Sequence, residues 1–223
     1  MSNHVLVRWT IVPRNCPRPI LACPTCGVDR PFHPSGKIRL NANGKRLDAW
    51  VIYKCGDCDR TWNRPFLERR LATDLPPDDL AALKSGDPAV VRHLAFDLAA
   101  LRRKTSVIAQ SEEVHVEKVV TGGATGAAGV EIALAVPYPV GIRLDRLLAT
   151  ELGLARSRIV ALAGEGRLIV GGGGNALKRP PRDGQSVHLD LADASDGRGI
   201  VDAAGGTANC VAHMNGQITC GDD

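Results

Sequence analysis

The amino-acid sequence predicts an α+β protein, and three patterns along the chain support this fold class. β-Branched and aromatic residues dominate two segments near the N terminus, residues 5–12 and 49–53, as is typical of strands. Apolar residues then recur at helical spacing between residues 88 and 101. Two helix patterns followed by two strand patterns occupy residues 141–191. Their order predicts a β-rich N-terminal region, a helical connector and a small C-terminal α+β module.

The composition is that of an ordinary globular protein, with 223 residues of which 44% are hydrophobic and 23% charged. A chain of this length can bury one or two apolar cores. No signal peptide is visible in residues 1–14. The longest apolar stretch, residues 132–142, is interrupted by Pro137 and Pro139 and is too short to cross a bilayer. We therefore expect a soluble cytoplasmic protein with no membrane partner.

Residues 1–65 form the first predicted segment, which is rich in strand signals. Asn43-Gly44 lies between two strand-like runs and is a strong hairpin signal, because both positions tolerate positive φ. The segment holds 11 Lys and Arg residues against 4 Asp and Glu residues. This basic charge is compatible with a polyanionic partner, although a solvated basic face would have the same composition.

Residues 66–140 are predicted to contain a helical connector followed by a β-hairpin. Asp87 is expected to cap a helix that has Pro88 at its first position. The helix is predicted to be a single long one, because apolar residues recur at helical spacing at Val91, Leu94, Leu98 and Leu101. Two strand-like runs, residues 114–120 and 130–136, flank a linker of Gly, Ala and Thr, which predicts a hairpin connection between them.

The last two predicted segments are residues 141–191 and residues 192–223. The first shows helix patterns at 143–151 and 156–163 and strand patterns at 167–170 and 187–191. The second is rich in Gly, Ala and Asp without a sustained period, which predicts a disordered tail. Cys210 and Cys220 lie in this tail, and the sequence assigns no site to them.

Four cysteines form two Cys-x-x-Cys pairs, Cys23 with Cys26 and Cys55 with Cys58. Two residues between cysteines allow a tight turn that points both sulfurs at one place, and Gly27 and Gly56 supply the permissive backbone that such turns often need. Two such turns facing each other give tetrahedral sulfur coordination, which suits zinc. The strands between the pairs then predict a zinc ribbon with one structural zinc ion.

Two Cys-x-x-Cys pairs are also compatible with other kinds of site. A thioredoxin-like redox site uses one pair in a βαβ context, and an iron–sulfur centre also uses four thiolates. A catalytic zinc needs an open coordination position, which four thiolates do not leave. Cys16 is interpreted as a bystander. Four aromatic residues near the ribbon either stack on nucleic-acid bases or form its small core, namely Trp9, Trp50, Tyr53 and Trp62.

The N-terminal half of the chain carries a specific series of motifs. They are Cys23-Pro24-x-Cys26, Phe32, Ser35-Gly36-Lys37-x-Arg39, Asn41-Ala42-Asn43-Gly44-Lys45, Asp48-x-Trp50-x-Ile52-Tyr53-x-Cys55-x-x-Cys58 and Trp62-Asn63. On these motifs, residues 1–110 resemble a bacterial family known only as domain of unknown function 1062. The resemblance implies a bacterial cytoplasmic protein and transfers no activity.

Residues 141–191 carry a second series, Arg143-Leu144-Asp145-x-x-Leu148, Arg156-Ser157, Leu162, Gly166-Arg167-Leu168-x-Val170, Gly172, and Gly184 before Val187. On these residues the segment resembles the small RNA-binding module of the ribosomal protein S-four type. In that family, basic residues of the second helix and the following loop contact RNA. The resemblance therefore implies six RNA-binding candidates, Arg143, Arg156, Arg158, Arg167, Lys178 and Arg179.

The segment also departs from the resembled module. Ala155 stands where a capping Ser is usual and Gly171 where Asn is usual, and Gly164 weakens the end of the second helix. No catalytic constellation, phosphate loop or dinucleotide fingerprint is visible. The sequence thus predicts a non-enzymatic, ribosome-associated RNA-binding accessory protein with a structural zinc. The alternative is a protein-interaction or regulatory module whose basic surface meets an acidic protein and no longer binds RNA.

Overall fold

The structure, a computed structural model, describes residues 4–123, 128–191 and 197–206. The chain divides into two compact units. One, the split unit, contains residues 4–14 together with the described residues from 111 onward. The other, the inserted unit, contains residues 15–110. The chain therefore leaves the split unit after residue 14 and returns to it at residue 111, so neither unit boundary falls at 65, 140 or 191, where composition changes.

The described residues form ten strands in two sheets and six α-helices, which is an α+β fold, as predicted. The ten strands are β1 His4–Pro13, β2 Arg18–Cys23, β3 Val28–Asn43, β4 Arg46–Cys55, β5 Thr61–Leu71, β6 Ile108–Ala109, β7 Val114–Gly122, β8 Gly129–Ala135, β9 Leu168–Val170 and β10 Ser186–Asp190. The six α-helices are α1 Pro77–Ser85, α2 Pro88–Ala95, α3 Leu98–Arg102, α4 Leu144–Leu152, α5 Arg156–Gly164 and α6 Gly197–Gly205.

The inserted unit is built on an antiparallel sheet with strand order β5-β4-β3-β2-β6. The hairpin predicted at Asn43-Gly44 is confirmed, because β3 ends at Asn43, Gly44 has φ 61° and β4 begins at Arg46. At the other edge, β2 pairs with β6 through Arg18 and Ala109. The two ends of this unit are therefore neighbours in its own sheet.

The predicted long helix of the connector is two helices in the structure. The Asp87 cap is confirmed, since its carboxylate accepts a hydrogen bond from Ala89 N at 2.7 Å. The helix α2 nevertheless ends at Ala95. Asp97 then caps α3 by accepting a hydrogen bond from Ala100 N at 2.9 Å, and an N-cap residue has non-helical backbone angles. The apolar spacing was compatible with a continuous helix, but this second cap interrupts it.

The split unit has a mixed sheet with strand order β7-β1-β8-β10-β9. β1 lies between β7 and β8, antiparallel to the first and parallel to the second. The predicted hairpin between residues 114–120 and 130–136 is therefore wrong, because those two strands do not pair with each other. The physical reason is that β1 lies between them, where its backbone pairs with β7 at one edge and with β8 at the other. One face of this central strand is buried, with Val7, Trp9 and Ile11 at most 1% exposed.

The core of the split unit lies against this face of the sheet and includes side chains of α4, α5 and α6. The predicted disordered tail is corrected in part, because residues 197–205 form α6. Ile200 is 3% exposed and Ala204 is fully buried. Trp9 Nε1 donates a hydrogen bond to Ala204 O at 2.9 Å, which satisfies a buried donor. Residues 192–196 and 207–223, with Cys210 and Cys220, lie outside the described residues.

Candidate functional site

The first pair of cysteines lies in a tight turn between β2 and β3. Cys23 ends β2, and its carbonyl accepts a hydrogen bond from Gly27 N at 2.8 Å. Gly27 has φ 74°, a conformation that costs glycine little because it has no Cβ. This turn brings Cys26 back beside Cys23 before β3 begins.

The second pair uses a different device from the one the sequence suggested. Cys55 ends β4, and its carbonyl accepts a hydrogen bond from Asp59 N at 3.1 Å. The positive φ of this turn, 59°, belongs to Asp59 and not to Gly56. Gly56 is needed for a close approach instead, because a Cβ there would stand 3.3 Å from Pro31 O, which already accepts the Gly56 N–H.

The four sulfurs of Cys23, Cys26, Cys55 and Cys58 converge on one point. Cys23 Sγ lies 3.5 Å from Cys58 Sγ, Cys26 Sγ lies 3.9 Å from Cys55 Sγ, and all four atoms lie within 4.8 Å of one another. Four thiolates around one ion at about 2.3 Å stand about 3.8 Å apart. The cluster therefore fits a single tetrahedrally coordinated metal ion. Iron–sulfur clusters distribute their thiolates over several irons and need a wider spacing.

The surroundings of the cluster are apolar on its inner side. Cys23 and Cys55 are at most 1% exposed, and they share a core with Phe32, Val51 and Tyr53. Trp62 packs against this core, with its ring centroid 5.1 Å from that of Tyr53. A metal ion held by four thiolates in such a core has no open coordination position, so the arrangement supports the fold rather than catalysis.

The thiols of the cluster differ in proton affinity. Burial raises the pKa of Cys23, but hydrogen bonds from the backbone of Cys26 and Thr25 and from Cys58 outweigh it, and the pKa falls to about 7. The hydrogen bond with Cys58, together with burial, raises the pKa of Cys26 to about 12. A bound metal ion displaces the remaining protons, because the thiolate is the ligand.

The predicted RNA-binding residues lie in the split unit, and a buried carboxylate organises two of them. Arg143 precedes α4 and Arg156 begins α5. Arg143 Nη2 lies 2.9 Å from Asp145 Oδ2, and Arg156 Nη2 lies 2.8 Å from the same oxygen. Asp145 is only 2% exposed, so one buried charge ties the starts of both helices. Sequence reasoning gave Asp145 no role.

The other four predicted residues have different surroundings. Arg158 and Arg167 approach the carboxylate of Glu165 at 3.9 and 3.8 Å. Lys178 ends a short 3-10 helix and is followed by Arg179, whose carbonyl accepts a hydrogen bond from Leu144 N at 2.9 Å. The structure thus brings Arg179 to the start of α4, beside Arg143. Lys178 and Arg179 form no ion pair with any described residue.

The aromatic residues near the cysteines also separate into two groups. Trp9 and Tyr53 are fully buried in the cores of the two units. Trp50 lies on the opposite face of β4 from Val51 and Tyr53 and is half-buried. The Arg39 guanidinium lies 5.8 Å from the centre of its ring.

A comparison with protein families matches residues 40–171, more than half of the chain, to a model described as protein of unknown function (DUF1062). The chain belongs to the DUF1062 family. The DUF1062 match includes Cys55 and Cys58 but begins after Cys23 and Cys26, and it continues through α4, α5 and β9. The region common to this family therefore spans parts of both units, whereas the motifs in the sequence suggested residues 1–110.

No curated protein and no solved structure matches this DUF1062 chain. The description of DUF1062 assigns no activity. A functional conclusion therefore depends on the chemistry of the four cysteines and of the basic residues around α4 and α5. None of the helices in the described parts of the chain has the length and apolar character that crossing a bilayer requires.

Proposed function

We propose that this DUF1062 protein is a non-enzymatic RNA-binding accessory protein whose inserted unit is stabilised by a structural zinc ion. The observation that carries the RNA proposal is a local excess of positive charge. Among the residues described, four of the six candidate side chains share two carboxylates, Asp145 and Glu165, and Lys178 and Arg179 pair with none.

The geometry of this basic group supports contact with phosphate. The Arg143 and Arg156 side chains are 43% and 54% exposed, while the Asp145 carboxylate between them is buried. One carboxylate neutralises only one of the two guanidinium charges. Each guanidinium has five N–H donors in a planar fork that matches phosphate oxygens, so donors remain for a ligand on the exposed side.

The preference for RNA over another polyanion rests on the resemblance of residues 141–191 to the S-four type of module. The observed order of two helices, a strand, a loop and a second strand agrees with that resemblance. Ribosomal RNA is the first candidate, because that module was first seen in a ribosomal protein. An acidic protein surface could bind the same basic residues, and the RNA titration distinguishes this alternative from RNA binding.

The preference for zinc rests on the donor set. Four thiolates in a tetrahedral arrangement suit zinc or iron, and a site without an open position or a redox partner suits zinc. Zinc here is a folding ligand, since it would hold the two cysteine turns together from the ends of β2 and β4. It takes no part in RNA contact.

The RNA proposal is tested with a structured ribosomal RNA fragment titrated at several salt concentrations. The chosen variant is Arg158→Ala with Lys178→Ala, because neither residue touches the buried Asp145. Losing two phosphate contacts should weaken binding and reduce the magnitude of the slope of log affinity against log salt by about two. Arg102→Ala with Arg103→Ala, at the C-terminal end of α3, removes the same charge and should change neither quantity.

Two results would contradict the proposal. One is equal RNA binding by the parent and both double variants. The other is no RNA binding by the parent at low salt. Either would favour the acidic-protein alternative, in which the basic surface is retained for a different partner.

A further inference from the structure

A cavity of about 300 Å³ lies in the split unit, between the loop that follows β9 and the segment that precedes β10. Its walls include Gly171 and Gly172 on one side and Arg179, Arg182 and Ser186 on the other. None of the proposed roles so far uses Arg182 or the glycine loop. A volume of this size is at the lower end of small-molecule sites.

Two cationic side chains that line the cavity could bind an anion. The guanidinium groups of Arg179 and Arg182 make no hydrogen bond or ion pair with the part of the chain that the structure describes. Asp183 also lines the cavity, but its Oδ1 accepts a hydrogen bond from Val136 N at 2.8 Å. The carboxylate is therefore tied to the end of β8, and the lining carries a net positive charge.

The uncharged hydrogen-bond donors of the cavity lie on two segments that hydrogen bonds hold together. Gly171 N donates to Ser186 O at 2.9 Å, and Gln185 Nε2 donates to Gly171 O at 2.6 Å. Gly172 has φ 105°, which a residue with a side chain rarely adopts. The Gly172 N–H and the Ser186 hydroxyl make no hydrogen bond within the described chain.

Glycine at position 171 keeps the cavity open. A Cβ added there would stand 3.2 Å from Ser186 Oγ, closer than an ordinary contact. A larger side chain would fill the space beside the Ser186 hydroxyl. The absence of a side chain at this position therefore preserves both the volume and one of its donors.

We propose that this cavity is a binding site for a phosphate group. Two guanidinium groups, a hydroxyl and a backbone N–H supply the kind of donors that bind tetrahedral oxyanions. The phosphate has two possible sources, the diester backbone of the RNA proposed above or a free phosphate monoester such as a mononucleotide. Only the first source rests on the proposed function.

The site is tested by following backbone amide resonances of the full chain during titration with inorganic phosphate, AMP and adenosine at constant ionic strength. Phosphate and AMP should shift the amides of Gly172, Gly173 and Ser186, and adenosine should not. Arg179→Ala with Arg182→Ala should weaken phosphate binding about tenfold or more, because charge-assisted hydrogen bonds are the strong ones.

A second variant tests the shape of the site without changing its charge. Gly171→Val should block the cavity and reduce phosphate binding to a similar degree. The control is Arg102→Ala with Arg103→Ala, which removes two charges elsewhere and should bind phosphate as the parent does. Parent-like binding by both cavity variants would overturn the inference, as would amide shifts scattered over many basic residues.

The variant Arg182→Ala distinguishes the two possible sources of the phosphate group, since Arg182 is not among the residues used to test the RNA proposal. Weaker binding of both AMP and RNA would identify the RNA backbone as the occupant. Weaker AMP binding with unchanged RNA binding would identify a free phosphate monoester. AMP binding by a protein that binds no RNA would uphold the cavity while contradicting the proposed function.

Discussion

Replacing Ile200 in α6 with alanine tests whether this helix belongs to the core of the split unit. The Ile200 side chain is 3% exposed and lies in a cluster that includes Trp9. Truncation of a buried isoleucine to alanine costs about 2–5 kcal/mol, because it removes apolar burial and leaves a cavity. We expect about 3 kcal/mol for Ile200→Ala, near the middle of this range for a residue on a single short helix.

The same helix also satisfies polar groups of the sheet. Lys118 Nζ donates to Ala203 O at 3.0 Å as well as to Glu151, and Trp9 Nε1 donates to Ala204 O. Loosening α6 would therefore remove one acceptor from Lys118 and the acceptor of the buried Trp9 donor. A loss of about 3 kcal/mol corresponds to a fall in Tm of roughly 6–12 °C for a chain of this size.

The assay is thermal and urea unfolding followed by tryptophan fluorescence, with Arg198→Ala as the control. Arg198 lies on the exposed side of the same helix, and its replacement should change the free energy of unfolding by less than about 0.5 kcal/mol. Equal stability of the parent and Ile200→Ala would refute the reasoning. It would support the disordered tail that composition predicted for residues 192–223.

Two further predictions concern the cysteine cluster and the buried carboxylate. Purified protein should contain one zinc ion per chain by elemental analysis. Cys55→Ser should lose the zinc and unfold the inserted unit, since structural zinc contributes on the order of 10 kcal/mol in small domains. Finding iron, or an intact fold without metal, would contradict this prediction. Asp145→Asn should lower the free energy of unfolding in urea by about 1–3 kcal/mol, because it removes the charge that two part-exposed arginines share. Glu112→Gln, which disrupts an exposed pair with Arg146, should change it by less than about 0.5 kcal/mol, and equal effects of the two variants would refute the structural role of Asp145.

Local features of the fold could be predicted because short segments determine them. The Asn43-Gly44 turn, the Asp87 cap and the helix pair α4 and α5 all depend on residues close together in the chain. The order of the strands in the split unit could not be predicted. The β-branched and aromatic residues of β1 identify it as a strand but do not say that its partners begin at residues 114 and 129. Pairing over such a separation depends on the whole core rather than on a local pattern.

The candidate sites show the same division. The spacing of the cysteines predicted the convergence of the four sulfurs, because two turns of fixed length leave little freedom. It misplaced the special backbone angle, which belongs to Asp59 rather than Gly56. Asp145 had a signal that was available in the sequence, an acidic residue on the same helix as the buried Leu144 and Leu148, with arginines nearby. A carboxylate at such a position needs cationic partners, and that requirement could have identified its role.

The pairing of β2 with β6 has a consequence for how the rest of the chain assembles. During synthesis, β1 has to wait for partners that emerge about 120 residues later, which takes roughly 6–25 s at about 5–20 residues per second. Because Arg18 pairs with Ala109, folding of the inserted unit brings the points where the chain enters and leaves it close together. The connection from β1 to β7, nearly 100 residues long, then has the effective length of a short loop. The entropy cost of joining β1 to β7 and β8 falls by about 2–3 kcal/mol. Folding of the inserted unit thus assists the closure of a sheet to which it contributes no strand.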